Sequence, residues 1–145
     1  MIAILPFAQD NAVRAQAPKA NGKLKATPKT AGVMATVKLY DAGGNVFLTA
    51  MKKVTQKTNA FDFLRGTLAV DFTTFPPNLT APKPFPGGPF VNALAGVPPD
   101  SGTYWALYVD RKYSCVGIGA ITIEANDVLI EWKMEGFDIK HPECE

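Results

Sequence analysis

From residue 33 onward the apolar and polar positions fall into short periodic runs. Residues 33–40 alternate, with Val33, Val37 and Leu39 on one side, which predicts a β-strand. Asp41-Ala42-Gly43-Gly44 supplies a turn, because glycine reaches positive φ without steric cost. Residues 45–55 then return as the second strand of a hairpin. The period next lengthens to that of a helix. Phe61, Leu64 and Leu68 lie at i, i+3 and i+7 and predict a buried helical stripe. Asn59 is placed to cap that helix and Asp62 to meet its positive end. Gly66 is expected to cut it short as a C-cap.

Six of the twelve prolines fall within residues 76–89, so this stretch is expected to be a stiff loop with polyproline-like pieces. Residues 90–97 predict a strand, closed by the turn Pro98-Pro99-Asp100-Ser101-Gly102. Residues 103–109 are rich in aromatic and β-favouring residues, with Trp105, Leu107 and Val109 opposite Tyr104, Ala106 and Tyr108. Ile121 and Ile123 alternate with polar neighbours. After the turn at 125–127, Val128, Ile130, Trp132 and Met134 line one face of a last strand. Hairpin, helix and then several strands describe an α+β domain with one helix packed on a mixed sheet.

Before residue 33 neither period appears. Residues 1–32 read as an extended basic arm with an apolar tip of Ile2, Ile4, Leu5 and Phe7. Arg14, Lys19, Lys23, Lys25 and Lys29 stand there against Asp10 alone, a net charge of +4, while residues 33–145 carry −2. The opening lacks the basic start and apolar length of a secretory signal, although Ala15-Gln16-Ala17 looks like a cleavage site. No transmembrane helix is expected. Residues 136–145 read as an acidic tail. The 145 residues make one domain, and their total charge of +2 argues against a nucleic-acid binder.

Candidate chemistry is sparse. His141 is the only imidazole and sits on the tail, where the expectation is an exposed side chain with no catalytic or metal-binding role. Cys115 and Cys144 can pair in an oxidising environment, but two cysteines establish nothing alone, and free thiols are expected. Asn78-Leu79-Thr80 matches a glycosylation sequon, a pattern that also arises by chance. Trp105 is expected in the core. Tyr104 and Tyr108 are candidates for an exposed contact face, since a phenol is apolar along its body and polar at its tip.

Four words in this order carry a family resemblance: residues 58–64 (TNAFDFL), 102–110 (GTYWALYVD), 116–118 (VGI) and 126–133 (NDVLIEWK). They resemble the transcobalamin-like C-terminal domain, DUF4430, over about residues 33–135. The resemblance implies a β-grasp fold and a domain that closes over one face of a corrinoid, while a separate helical barrel supplies the rest of the site. That barrel is absent from these 145 residues. Asp110-Arg111 stands where relatives often have Asn-Gly, Leu94-Ala95-Gly96 where they have an Ile-Asn-Gly step, and Asn126 where they have glycine, a residue that still tolerates left-handed geometry. The proline-rich loop looks like an insertion at the ligand-facing rim.

Two functions follow. The favoured expectation is a non-enzymatic structural protein built into a larger assembly, such as a phage capsid decoration protein or a surface subunit. It would contact a protein partner or its own copies through the arm and through Pro82, Pro84, Phe85 and Pro86. A virion or other assembly built inside the cell is the favoured location, with the cell surface or secretion as the alternatives. The alternative is a soluble-ligand module with Phe90, Tyr104 and Tyr108 as its ligand face and cobalamin as the ligand. Neither reading includes an enzyme, a resident cofactor, a metal or nucleic acid.

Overall fold

The computed structural model describes residues 32–80 and 86–144. Gly32–Tyr40 (β1) and Val46–Thr55 (β2) form the expected antiparallel hairpin, with a register shift at Leu39/Tyr40. Thr58–Asn59 (β3) leads into the α-helix Ala60–Thr67 (α1), the only one among the described residues. Val70–Phe75 (β4) and Gly88–Leu94 (β5) pair with each other, and Thr103–Val109 (β6) turns directly into Lys112–Tyr113 (β7). Thr122–Ile123 (β8) pairs with β3, and Val128–Gly136 (β9) closes the order. The main sheet runs β2-β1-β9-β6-β7, with β1 and β9 parallel at its centre and antiparallel neighbours outside. A hairpin, a helix and a last strand placed parallel beside the first is the β-grasp arrangement, so the α+β expectation holds.

The core lies between this sheet and α1. Ala35, Val37 and Leu39 of β1 and Ile130 and Trp132 of β9 are buried together with Ala60, Phe63 and Leu64 of the helix. The Asn59 side chain accepts the Phe61 N–H, as the capping expectation requires. The buried stripe, however, is Ala60, Phe63 and Leu64 rather than Phe61, Leu64 and Leu68. Phe61 is half-buried and meets Phe72 of β4 edge-on at 4.9 Å. Gly66 lies inside the helix, and the chain leaves it at Leu68, whose N–H still reaches the Leu64 carbonyl.

β4 was not expected. Its partner β5 lies beyond the proline-rich stretch, so no local turn marks the pairing. The prolines form the connection of this hairpin, and Pro89 enters β5 opposite Thr74 in a sheet of only two strands, where a missing N–H is tolerated. At its neck Gly87 has φ +82, and a Cβ there would lie 2.8 Å from the Phe75 carbonyl oxygen. Only glycine fits.

Four other turns carry left-handed non-glycine residues, one of them Lys57 between β2 and β3 with φ 74°. Asp110 and Arg111 have φ of 49° and 71°, so this pair makes the two-residue hairpin that Asn-Gly favours. Ala95 and Gly96 do the same between Leu94 and Val97, which ends β5 earlier than expected. In the last turn the left-handed residue is Asp127, not Asn126, whose side chain instead accepts the Met34 N–H at 2.7 Å. Asp110 also accepts the Leu129 N–H, whereas among the described residues no hydrogen bond holds the Arg111 side chain. Arg111→Gly is therefore expected to raise the unfolding free energy by about 1 kcal/mol, checked by urea denaturation.

Candidate functional site

The open edge of the main sheet, beside β6, holds a hollow of about 240 Å3. Phe90 of β5, Tyr104 and Trp105 of β6, Tyr113 of β7, Cys115 and Trp132 of β9 are among its lining residues. None of its lining residues is Asp, Glu, Lys, Arg or His. The strands explain why these rings meet. β7 spans two residues, so the chain leaves the sheet after Tyr113 and uncovers the β6 edge, while β5 approaches from the second sheet. Trp105 is held by its indole N–H, which donates to the Val97 carbonyl at 3.0 Å. The indole N–H of Trp132 is buried with no partner among the described residues, an arrangement that costs about 1–3 kcal/mol.

A second hollow of about 460 Å3 adjoins the first and shares Pro89, Phe90, Cys115, Val116 and Gly117 with it. Its remaining wall is Pro86, Gly87, Gly88, Gly119 and Ala120. Phe90 and Val116, 47% and 51% exposed, stand between the two as apolar surface open to solvent. Together they form an aromatic recess continued by a groove of backbone and proline.

Tyr104, Ala106 and Tyr108 lie on the sheet face away from the helix, and that face is a connected polar and aromatic layer. Tyr108 donates to Glu135, which pairs at 2.9 Å with His141. His141 lies flat on Tyr113, whose hydroxyl meets that of Tyr104 at 3.1 Å. Further along, Tyr40 donates to the buried Glu131, and the Lys133 ammonium sits 5.2 and 4.5 Å from the Tyr40 and Tyr108 rings. The expectation of an exposed His141 is overturned: its side chain is 15% exposed, because the tail folds back and the imidazole has a ring to stack on and a carboxylate to pair with. The expectation of free thiols is overturned too. Cys115 and Cys144 form a disulfide, brought together by the same return of the chain.

Burial, and then the bond to Tyr113, raises the Tyr104 phenol above its ordinary range. Burial, and then Glu135, does the same to Tyr108. The bond to Glu131 is the main cause of a rise at Tyr40. Raised phenols favour the neutral form in the fold. Their contribution is complete below the unfolded value near pH ~10 and is lost as pH climbs through the folded values. Three of the four tyrosines are thus expected to ionise later in the native protein than in denaturant, followed by tyrosinate absorbance, with stability falling above that pH.

Of the residues read from the sequence as a ligand face, Phe90 and Tyr104 line the recess and Tyr108 does not. Pro86 lines the adjoining groove. Pro82, Pro84 and Phe85, and the arm residues Ile2, Ile4, Leu5, Phe7, Arg14, Lys19, Lys23, Lys25 and Lys29, lie outside the described residues. Trp132 and Tyr113 escaped sequence reasoning. Alternation assigned Trp132 to the core, and nothing local marks Tyr113 as the end of the sheet.

The family model for a domain of unknown function, DUF4430, matches residues 44–136. The chain belongs to the DUF4430 family. No curated protein sequence matches it. Among solved structures this DUF4430 chain is similar to haptocorrin, crystallised in complex with Cbi, at 13% identity and a TM-score of 0.50. The match covers 77% of this chain and 27% of haptocorrin, so the DUF4430 chain spans a minor part of that protein. The likeness shows a shared fold, that of a transcobalamin-like domain. Among the described residues no helix is long and apolar enough to cross a membrane.

Proposed function

We propose that this DUF4430 domain, residues 33–135, binds a soluble small ligand of corrinoid type against the β6 edge. The observation that carries this reading is the uncharged aromatic recess formed around Phe90, Tyr104, Trp105 and Trp132. Small-molecule sites are mostly apolar, with a few polar groups for orientation, and Ser114 and the Tyr104 and Tyr113 hydroxyls supply such groups here. The family and the haptocorrin complex with Cbi support the same ligand class. At about 240 Å3 the recess is smaller than the ~300–1,000 Å3 that encloses a drug-sized molecule. It therefore takes one edge of the ligand, the groove beside Gly87 and Gly88 takes a further part, and the other face stays open. The assembly reading rests on the arm and on residues 81–85, outside the described structure, and gains no support from the family or from haptocorrin.

Titration with cobalamin and related corrinoids tests the proposal through the fluorescence of Trp105 and Trp132, the only two tryptophans. Saturable quenching below millimolar ligand is expected, weakened about tenfold by Phe90→Ala, in line with the truncation of a central aromatic contact. No saturable change with any corrinoid in that range would reject it.

A further inference from the structure

Three side chains of the recess are held from behind by three residues of the C-terminal segment. Tyr104 stacks on Phe137, with 5.2 Å between centroids and 25° between planes. Tyr113 stacks on His141 at 3.4 Å and 5°. Cys115 is bonded to Cys144. The family match ends at residue 136, so all three partners lie beyond it.

Between Tyr113 and the buried Ile118 the wall has few bonds to the rest of the fold. After Tyr113 it leaves the sheet, and between Ser114 and Gly117 its link to β6 is the Ser114 N–H donating to the Leu107 carbonyl at 2.8 Å. Segments with few ladder bonds and exposed apolar side chains open locally at low cost. The C-terminal segment has turn bonds of its own and one tie to the main sheet. Ile139 N–H donates to the Gly136 carbonyl and Cys144 N–H to the His141 carbonyl, while His141 pairs with Glu135 on β9. Phe137 is 73% exposed, so its ring rests on Tyr104 rather than in the core. An exposed aromatic that stacks on a recess residue, and an imidazole that stacks on another, together align the wall from its outer side.

We infer that residues 137–144 brace the ligand wall, with Phe137 and His141 as positioning residues and Cys144 as the covalent anchor. The brace stands on the contacts above, and its effect on ligand rests on the corrinoid reading.

The test uses the full chain with its disulfide intact. Hydrogen exchange of amides 113–118 is measured without ligand in wild type, Phe137→Ala and His141→Ala. Each alanine variant is expected to exchange about 2- to 10-fold faster there, the loss of one aromatic pair, with the β1 and β9 amides unchanged. Phe137→Tyr and His141→Phe keep a ring for the stack and are expected to restore protection. Unchanged exchange in both alanine variants overturns the brace. Cobalamin titration of the same proteins then reads the coupling. Affinity about 2- to 10-fold weaker in the alanine variants, restored by the aromatic replacements, supports it, and equal affinity in all five proteins overturns it. If wild type binds no corrinoid, the ligand reading fails by itself, and the exchange rates still decide the brace.

Discussion

Serine at either Cys115 or Cys144 should lower the unfolding free energy by about 3.5 kcal/mol, the loop-closure value for a bridge across 29 positions. The argument concerns the unfolded chain. A covalent loop that contains β8 and β9 restricts the denatured ensemble, and its removal restores that freedom. Thermal unfolding of the oxidised and the dithiol-reduced protein checks the value, and each single serine variant should match the reduced protein. Equal midpoints in both redox states would show that the bond adds nothing to stability. The bond also ties a wall of the recess to the tail, so its loss acts on the part of the molecule where binding is proposed.

Phe63→Ala is expected to cost a further large amount, about 3–5 kcal/mol, measured by the shift in denaturation midpoint. Phe63 is 2% exposed and lies between the helix and the main sheet, with Leu64 and Ala60 beside it. An eight-residue helix has little stability of its own, so packing of this face is what holds it. Removing the one ring of that helix face leaves a void that the sheet, hydrogen-bonded on both sides of β1 and β9, cannot collapse to fill. Phe61→Ala should cost less, because that ring is half-buried and meets one neighbour of β4. The contrast separates the stripe that the structure buries from the one that simple spacing suggests.

Those two phenylalanines show where sequence reading stops. Phe61, Leu64 and Leu68 fit a helical period as well as Ala60, Phe63 and Leu64 do, and a helix of two turns offers too few positions to choose between them. The helix start was legible because a cap is a local contact: Asn59 bonds two residues ahead. Its end was not, since Gly66 only permits a left-handed residue and the helix had no need of one there. Neither the β6–β7 turn nor β4 was legible, because Asp110-Arg111 stands where Asn-Gly would have marked the turn and the partner of β4 follows the whole proline-rich stretch.

The candidate site divides along the same line. Phe90 and Tyr104 stood out as aromatic residues of strands, and the word that contains Tyr104 and Trp105 carried the family resemblance. Their meeting around one recess depends on how short β7 is and on how the second sheet approaches the first. Tyr108, identical to Tyr104 by strand alternation, goes instead to Glu135.

By itself the sequence determined the α+β class, the hairpin, the capped helix and the transcobalamin-like words, all of which rest on neighbours a few residues apart or on recurring local patterns. The pairing of Cys115 with Cys144, the stacking of His141 on Tyr113 and the closing of the aromatic recess were decided only in three dimensions. Each joins segments from about 30 to more than 40 residues apart or from different sheets, and no side chain signals in advance which distant partner the packed chain will bring to it.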